Sequence, residues 1–206
     1  MKIAIDLDNT IFNCDSLVYQ VITFTSSAQN INRPLKYHIV QPGEAQEKGK
    51  IKSFGRMSDV NHHIEIQNAT SIIKKWKEAG SEIILLSSRP NFVAIKKMII
   101  ALMEKYEVDF NFIVIACNNK AKFCEKYNIN LIIEDSLQNC KNCEIFGTKS
   151  IWFNQKATLF QKNRMRNKGY LVASSWDEVD HMVREEDLTV TSTININDNE
   201  AQAKAI

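Results

Sequence analysis

Alternation of short apolar runs with helical periods predicts an α/β fold: a doubly wound parallel sheet of five strands, with a small cap inserted after the first. Two observations carry the prediction. Five runs, Lys2–Asp6, Glu82–Leu86, Asn111–Ala116, Leu131–Glu134 and Ser150–Phe153, are apolar at consecutive positions, as strands covered on both faces require. The intervening segments carry helical patterns: Ser71–Ala79 stopped by Gly80, Phe92–Tyr106, Ala121–Tyr127, and Ser175–Arg184 after the last strand. Strands that alternate with helices pair in parallel, and such sheets bind ligands beyond the carboxyl ends of their strands, near the switch in strand order.

The first strand runs directly into Asp6-Leu7-Asp8-Asn9-Thr10. If the extended path continues past Leu7, the carboxylates of Asp6 and Asp8 point to the same side. Two such anions repel by about 4 kcal/mol at 4 Å and an effective dielectric of 20, so a cation is called for, and Mg²⁺ with its preference for oxygen ligands suits them. The other reading of Asp-Asn-Thr is a turn or helix N-cap, a job that all three residue types do. A calcium loop is excluded, because its sixth position needs Gly and holds Ile11, and its twelfth needs Glu and holds Leu17.

From Ile11 to about Val60 the chain is too long for a crossover and too rich in breakers for one helix. Leu17, Val18, Val21, Ile22 and Thr25 share a helical face, and Pro34, Pro42, Gly43, Gly49 and Gly55 follow. Residues 13–60 therefore read as the cap, residues 1–12 and 61–184 as the catalytic core, and residues 185–206 as a polar tail in which Leu188–Ile196 alternates like an edge strand. The later runs each end on polar groups: Ser87-Ser88-Arg89-Pro90 after the second, Asn118-Asn119-Lys120 after the third, Glu134-Asp135-Ser136 after the fourth. A hydroxyl at Ser87 can bond a phosphoryl oxygen, a lysine can neutralise charge developing on it, and acidic residues can hold a metal opposite Asp6.

Composition narrows the classes. With 206 residues and 44% hydrophobic content the chain can bury one sizeable core. A net charge of +2, from 26 Lys+Arg against 24 Asp+Glu, argues against nucleic acid as a partner, and the basic runs Lys48–Lys52 and Lys162–Lys168 read as solvated faces. No window approaches the roughly 18 apolar residues of a membrane span, and no charged leader precedes the first strand, so a cytoplasmic location is expected. Five cysteines fit a reducing compartment. Cys140 and Cys143 form a CxxC inside a segment of helical character; zinc would need a second close pair, which Cys117 and Cys124 are too far apart to supply, so buried free thiols are expected. His62-His63 lacks a third ligand at helical spacing and reads as a helix-surface pair.

The four polar strand ends, in this order, resemble the four motifs of the haloacid dehalogenase superfamily in its phosphatase branch: Asp6-x-Asp8-x-Thr10, Ser87 closing an apolar strand, Lys120 at a helix start with Lys122 as the second candidate, and the acidic pair Glu134-Asp135. The resemblance covers roughly residues 1 to 155. It implies the superfamily's Rossmannoid sheet with a type 1 cap, and phosphomonoester hydrolysis through an aspartyl-phosphate. It further implies Asp6 as nucleophile, Asp8 as general acid then base, and Lys120 as the charge-neutralising cation. Mg²⁺ would be held by Asp6, the Asp8 carbonyl, Asp135 and, through water, Glu134, while Asn9, Thr10, Ser87, Ser88 and Arg89 would serve the substrate. Arg89, two residues past Ser87, is expected near the mouth of the site. Within the superfamily the chain is most similar to the 5′(3′)-deoxyribonucleotidase-like branch, which implies a nucleoside monophosphate as the small-molecule partner. Arg33, Lys36, Tyr37, His38, Phe54 and Arg56 could form a base platform and a second anion contact, or be ordinary cap surface. Cys14 stands where that branch often carries a stacking aromatic, and Phe12 is expected to face the core. A sugar-phosphate or polynucleotide-end phosphatase, a phosphomutase and a non-catalytic nucleotide-binding module remain the other readings.

Overall fold

The chain was analysed as a computed structural model that describes residues 1–13, 38–40 and 63–185. The elements run β1 (Lys2–Asp6), β2 (Phe12–Asn13), β3 (His38–Val40), β4 (Ile64–Glu65), α1 (Ala69–Glu78), β5 (Glu82–Leu86), α2 (Val93–Lys105), β6 (Phe112–Ile115), α3 (Lys120–Lys126), β7 (Leu131–Glu134), α4 (Leu137–Ile145), β8 (Lys149–Phe153), α5 (Leu159–Arg166), β9 (Leu171–Ala173) and α6 (residues 176–185). The main sheet has the order β3-β6-β5-β1-β7-β8-β9, and β2 pairs with β4 in a separate antiparallel ribbon. From β6 to β9 every pairing is parallel. The central strand β1 lies between β5 and β7, where the direction of winding reverses.

Double winding follows from the period of two along each buried strand. Ile3 and Ile5 of β1, Ile83 and Leu85 of β5, Ile113 and Ile115 of β6, and Leu131 and Ile133 of β7 join a core with Ile72, Ile73 and Trp76 of α1, Met98, Ile99 and Leu102 of α2, and Trp176, Val179 and Val183 of α6. The alternate residues Ala4, Ile84, Leu86, Val114 and Ile132 face a second core with Phe123 and Cys124 of α3 and Cys143 of α4. Consecutive apolar residues thus serve two cores.

The sheet departs from the predicted five strands in two places. β9 adds a sixth parallel strand; at three residues it is too short to register as an apolar run. β3 adds an antiparallel edge, with His38, Ile39 and Val40 opposite Ile115, Val114 and Ile113. His38 therefore belongs to the core sheet rather than to the cap surface. The rest of the expected cap, including Cys14, Arg33, Lys36, Tyr37, Phe54, Arg56 and the helical face from Leu17 to Thr25, lies outside the described residues, as does the tail strand Leu188–Ile196.

Helix ends agree with their chemistry. Gly80 takes φ +88° just past α1, its N–H bonds the Lys77 carbonyl (2.9 Å) and the Ser81 N–H bonds that of Trp76 (2.9 Å), a Schellman stop that needs a residue free to adopt the left-handed region. At the other end of the sheet Asn119 Oδ1 accepts from the Lys122 N–H (3.0 Å) and Ser136 Oγ from the Asn139 N–H (3.4 Å), which starts α3 and α4 at the carboxyl ends of β6 and β7. Among the described residues no helix is long and apolar enough to cross a membrane.

Candidate active site

The loop after β1 is both a turn and a carboxylate holder. The Leu7 carbonyl accepts from the N–H groups of Ile11 (3.1 Å) and Phe12 (3.0 Å), and Asn9 sits at φ 57°, a left-handed conformation that Asn tolerates better than most side chains. Thr10 is fully buried; its hydroxyl donates to Asp6 Oδ2 (3.4 Å) and its carbonyl accepts from Trp176 Nε1 of α6 (2.8 Å). Asn9 Nδ2 reaches Asp135 Oδ2 (3.4 Å), so these two residues brace the acidic groups.

Around Asp6 the strand ends converge. Lys120, the first residue of α3, places its buried ammonium between Asp6 Oδ1 and Glu134 Oε2, the latter at 2.6 Å. Asp6, Glu134 and Asp135 each offer a carboxylate oxygen within 4.8 Å of the others, the one cluster among the described residues able to hold a metal ion. All three donors are hard oxygens with no thiolate or imidazole among them, and they fit a divalent ion such as Mg²⁺ rather than a soft metal. Burial holds the Asp6 carboxyl well above the usual carboxylate range; Lys120 opposes this, while Glu134, Asp135 and Asp8 reinforce it. Burial also pulls Lys120 down, but Asp6 and Glu134 outweigh it and keep the ammonium charged.

Asp8 answers to a different cation. Arg89 donates from Nε to Asp8 Oδ2 (2.9 Å) and from Nη2 to Asp8 Oδ1, a two-pronged pairing that fixes the plane of the carboxylate. The same Nη2 lies 2.8 Å from His63 Nε2, and Nη1 points to Met98 Sδ at 3.5 Å. Arg89 is 2% exposed, so the expected place at the mouth is corrected: a guanidinium so close to a buried aspartate is drawn inward by it. Ser87, also buried, accepts the Arg89 N–H on its hydroxyl (3.2 Å), while the Ser88 hydroxyl donates to the Cys117 carbonyl (3.2 Å).

Of the residues singled out from sequence, Asp6, Glu134, Asp135 and Lys120 meet at one point, and Asp8 and Arg89 form a second cluster joined to it by the short loop. Lys122 is half-exposed, and its backbone N–H donates to the Asn119 cap. Phe12 is buried against Tyr106, ring centroids 5.2 Å apart. The reading of His62-His63 as a helix-surface pair is corrected for His63, which is fully buried and precedes β4 outside any helix. Its only sequence signal was its place beside the apolar Ile64, and the β2–β4 pairing that brings it to Arg89 leaves no trace in spacing. Cys117, Cys124, Cys140 and Cys143 are buried free thiols; burial pushes Cys117 up to about 12 and raises Cys140 as well.

No family model matches the chain, and no curated protein matches it in sequence. Solved structures do match in fold. A HAD family hydrolase from Deinococcus radiodurans R1, with bound phosphate and sodium, aligns with a TM-score of 0.56 at 14% identity over 91% of this chain and 96% of its own. A predicted phosphatase from Clostridium acetobutylicum gives 0.56 at 14% over 89% and 98%. The D,D-heptose 1.7-bisphosphate phosphatase from B. bronchiseptica, complexed with magnesium and phosphate, gives 0.53 at 10% over 90% and 99%. The chain thus has the fold of the haloacid dehalogenase-like hydrolases, the Rossmannoid sheet that the four motifs imply.

Proposed function

We propose that this chain is a Mg²⁺-dependent phosphomonoesterase that works through an aspartyl-phosphate on Asp6. The observation that carries the reading is the buried Lys120 ammonium bridging Asp6 and Glu134, with Asp135 beside them, at the carboxyl end of the central strand. The fold neighbours with bound phosphate or magnesium support it.

In this reading an Asp6 carboxylate oxygen attacks phosphorus as the bond to the leaving oxygen breaks, and Asp8, which enters this step protonated and leaves it as the carboxylate paired with Arg89, gives that oxygen its proton. Water then attacks the phosphorus of the aspartyl-phosphate, passes a proton to Asp8 and releases the Asp6 carboxylate with inorganic phosphate. Asp6, Asp135, the Asp8 carbonyl and, through water, Glu134 would hold Mg²⁺, which when bound offsets the charge of the phosphoryl oxygens. Lys120 offsets the repulsion between the nucleophile and the incoming dianion, and the Ser87 hydroxyl bonds a phosphoryl oxygen.

Residues 13–60, apart from the edge strand β3, would form the cap that selects the leaving group. For substrate class two readings stand. A nucleoside monophosphate is what the resemblance to the deoxyribonucleotidase-like branch implies, and none of the three neighbours above is named as a nucleotidase. A sugar phosphate draws support from the heptose bisphosphate phosphatase. Purified chain assayed with 4-nitrophenyl phosphate and Mg²⁺, with and without excess chelator, tests the chemistry, and a panel of deoxynucleotides, ribonucleotides and sugar phosphates tests the class. Full activity in chelator, or none on any ester, overturns the proposal.

A further inference from the structure

His63 is a buried polar residue beside the site to which the proposed mechanism gives no task. It stands where the chain returns from residues 14–62, directly before β4, whose pairing with β2 closes the root of that insert: Phe12 lies opposite Glu65 and Asn13 opposite Ile64. Its backbone carbonyl accepts from the Tyr106 hydroxyl (2.7 Å), and the Tyr106 ring packs on Phe12 of β2. Main chain and side chain are therefore both held at the same joint.

The imidazole is 0% exposed and its Nε2 lies 2.8 Å from Arg89 Nη2. A guanidinium has donors only, so Nε2 accepts, which leaves the imidazole proton on Nδ1 and the ring neutral. With Nη2 oriented by His63 and Nη1 by Met98 Sδ, Nε and Nη2 present their fork to both oxygens of Asp8. Each group restricts the next: His63 the guanidinium plane, the guanidinium the carboxylate plane. Buried polar chains of this kind rigidify when every member is satisfied and loosen when one partner is removed. Proton transfer requires its donor within about 2.6–3.2 Å of the leaving oxygen, so a loosened Asp8 loses rate even with its carboxyl intact.

We infer that His63 is a positioning residue for the proton transfer by Asp8, acting through Arg89, and that it ties the geometry of this step to the closed root of the insert. The inference rests on the phosphomonoesterase reading of the site and deepens it, because it names a residue of the β2–β4 joint on which protonation of the leaving group depends.

The test compares kcat/KM for two esters that differ in their need for a proton. Glycerol 2-phosphate leaves as an alkoxide and requires it; 4-nitrophenyl phosphate leaves as a stable phenolate and hardly does. Since kcat/KM covers the steps up to release of the leaving group, later hydrolysis of the aspartyl-phosphate does not blur the comparison. His63→Leu removes the acceptor and should lower kcat/KM for glycerol 2-phosphate at least about tenfold more than for the aryl ester, within the range a positioned acid supplies. His63→Gln, whose amide oxygen can accept from Arg89 at a similar reach, should recover most of that difference, and the shorter His63→Asn should not. The Asn and Gln variants are both polar and keep the comparison available where the Leu variant fails to fold. Equal losses on the two esters, or a Gln variant no better than Asn, overturn the inference. If the wild-type chain hydrolyses neither ester with Mg²⁺, it is the phosphomonoesterase reading that fails.

Discussion

Asp6 and Asp8 stand two residues apart and answer to different cations, and this separation is the chemical content of the first loop. Asp6 faces Lys120 and the acidic cluster, while Asp8 is gripped by Arg89. Two carboxylates in different surroundings can take different roles, one attacking and one moving protons. Asp6→Asn should abolish turnover, since an amide is no usable nucleophile, and Asp8→Asn should lose about 10²- to 10⁴-fold in kcat. A steady-state assay with 4-nitrophenyl phosphate checks both, and more than a trace of activity in Asp6→Asn rules out the covalent route. Lys120→Ala should be far more damaging than Lys122→Ala: it strips the shared cation from two buried carboxylates, a loss of about 3–5 kcal/mol where a buried pair is broken, whereas Lys122 is half-exposed. Thermal unfolding and kcat/KM of the two variants decide it; equal effects would place the working lysine elsewhere. These residues were legible because each ends or closely follows an apolar strand, and a charge in that place has few structural uses. Arg89 was legible as a site residue but not in its inward turn, and His63 was not legible, because nothing in the spacing of a loop tells whether a polar side chain turns out to solvent or in to a buried partner.

Among the elements, the strands with long apolar runs were read correctly because both faces are covered, whereas β9 and the edge strand β3, three residues each, carry too little pattern to stand out. The helices resolved in the same way: α3 begins one residue earlier than its apolar period, at Lys120, because the Asn119 cap rather than hydrophobicity sets its start. Long-range polar anchors are invisible in sequence. Asp180 of α6 accepts from Trp76 Nε1 of α1 (2.8 Å) and from Lys75 Nζ (3.1 Å), and Arg184 lies beside it. Burial would raise this carboxyl, but the Trp76 hydrogen bond, with Lys75 and Arg184, outweighs burial and holds it below its ordinary value. A depressed carboxyl adds stability above its unfolded pKa of about 3.9 and loses it as pH falls through the lower folded value. Trp76→Phe keeps an aromatic, though smaller, ring and deletes the donor. It should cost about 1.5–3 kcal/mol at pH 7, with the gap to wild type narrowing below about pH 4 as Asp180 becomes protonated in both. Melting curves from pH 2.5 to 7 measure this, and a gap independent of pH would show that packing of the indole, not its N–H, is what α1 and α6 share.

At the scale of the whole molecule, the sheet collects negative charge at the carboxyl end of its central strands, where Lys120 and Arg89 are set among Asp6, Asp8, Glu134 and Asp135. In the metal-free chain the burial of Asp6, reinforced by its acidic neighbours, lifts its carboxyl above the ordinary range, so the folded state holds a proton that the unfolded state has released. Stability therefore falls as pH rises from the ordinary carboxylate value of about 3.9 towards the raised folded one, the opposite sign to Asp180. A divalent ion held by the three carboxylates as proposed would reverse this: it would bind the ionised form, displace the proton, and stabilise the native state by an amount that grows with the ratio of free ion to its dissociation constant. The expected outcome is a Tm difference between Mg²⁺ and chelator that is small near pH 4 and widens as pH is raised, accompanied by proton release on binding, which titration calorimetry in buffers of unequal ionisation enthalpy detects. The difference between the two curves isolates the site from every other titrating group, because those groups contribute alike with and without metal. Asp135→Asn should shrink the difference at every pH by removing one oxygen anion from the cluster. Curves that run parallel in Mg²⁺ and chelator across the whole range would mean that Asp6 is neutralised by Lys120 alone, and that the three carboxylates converge without holding a metal.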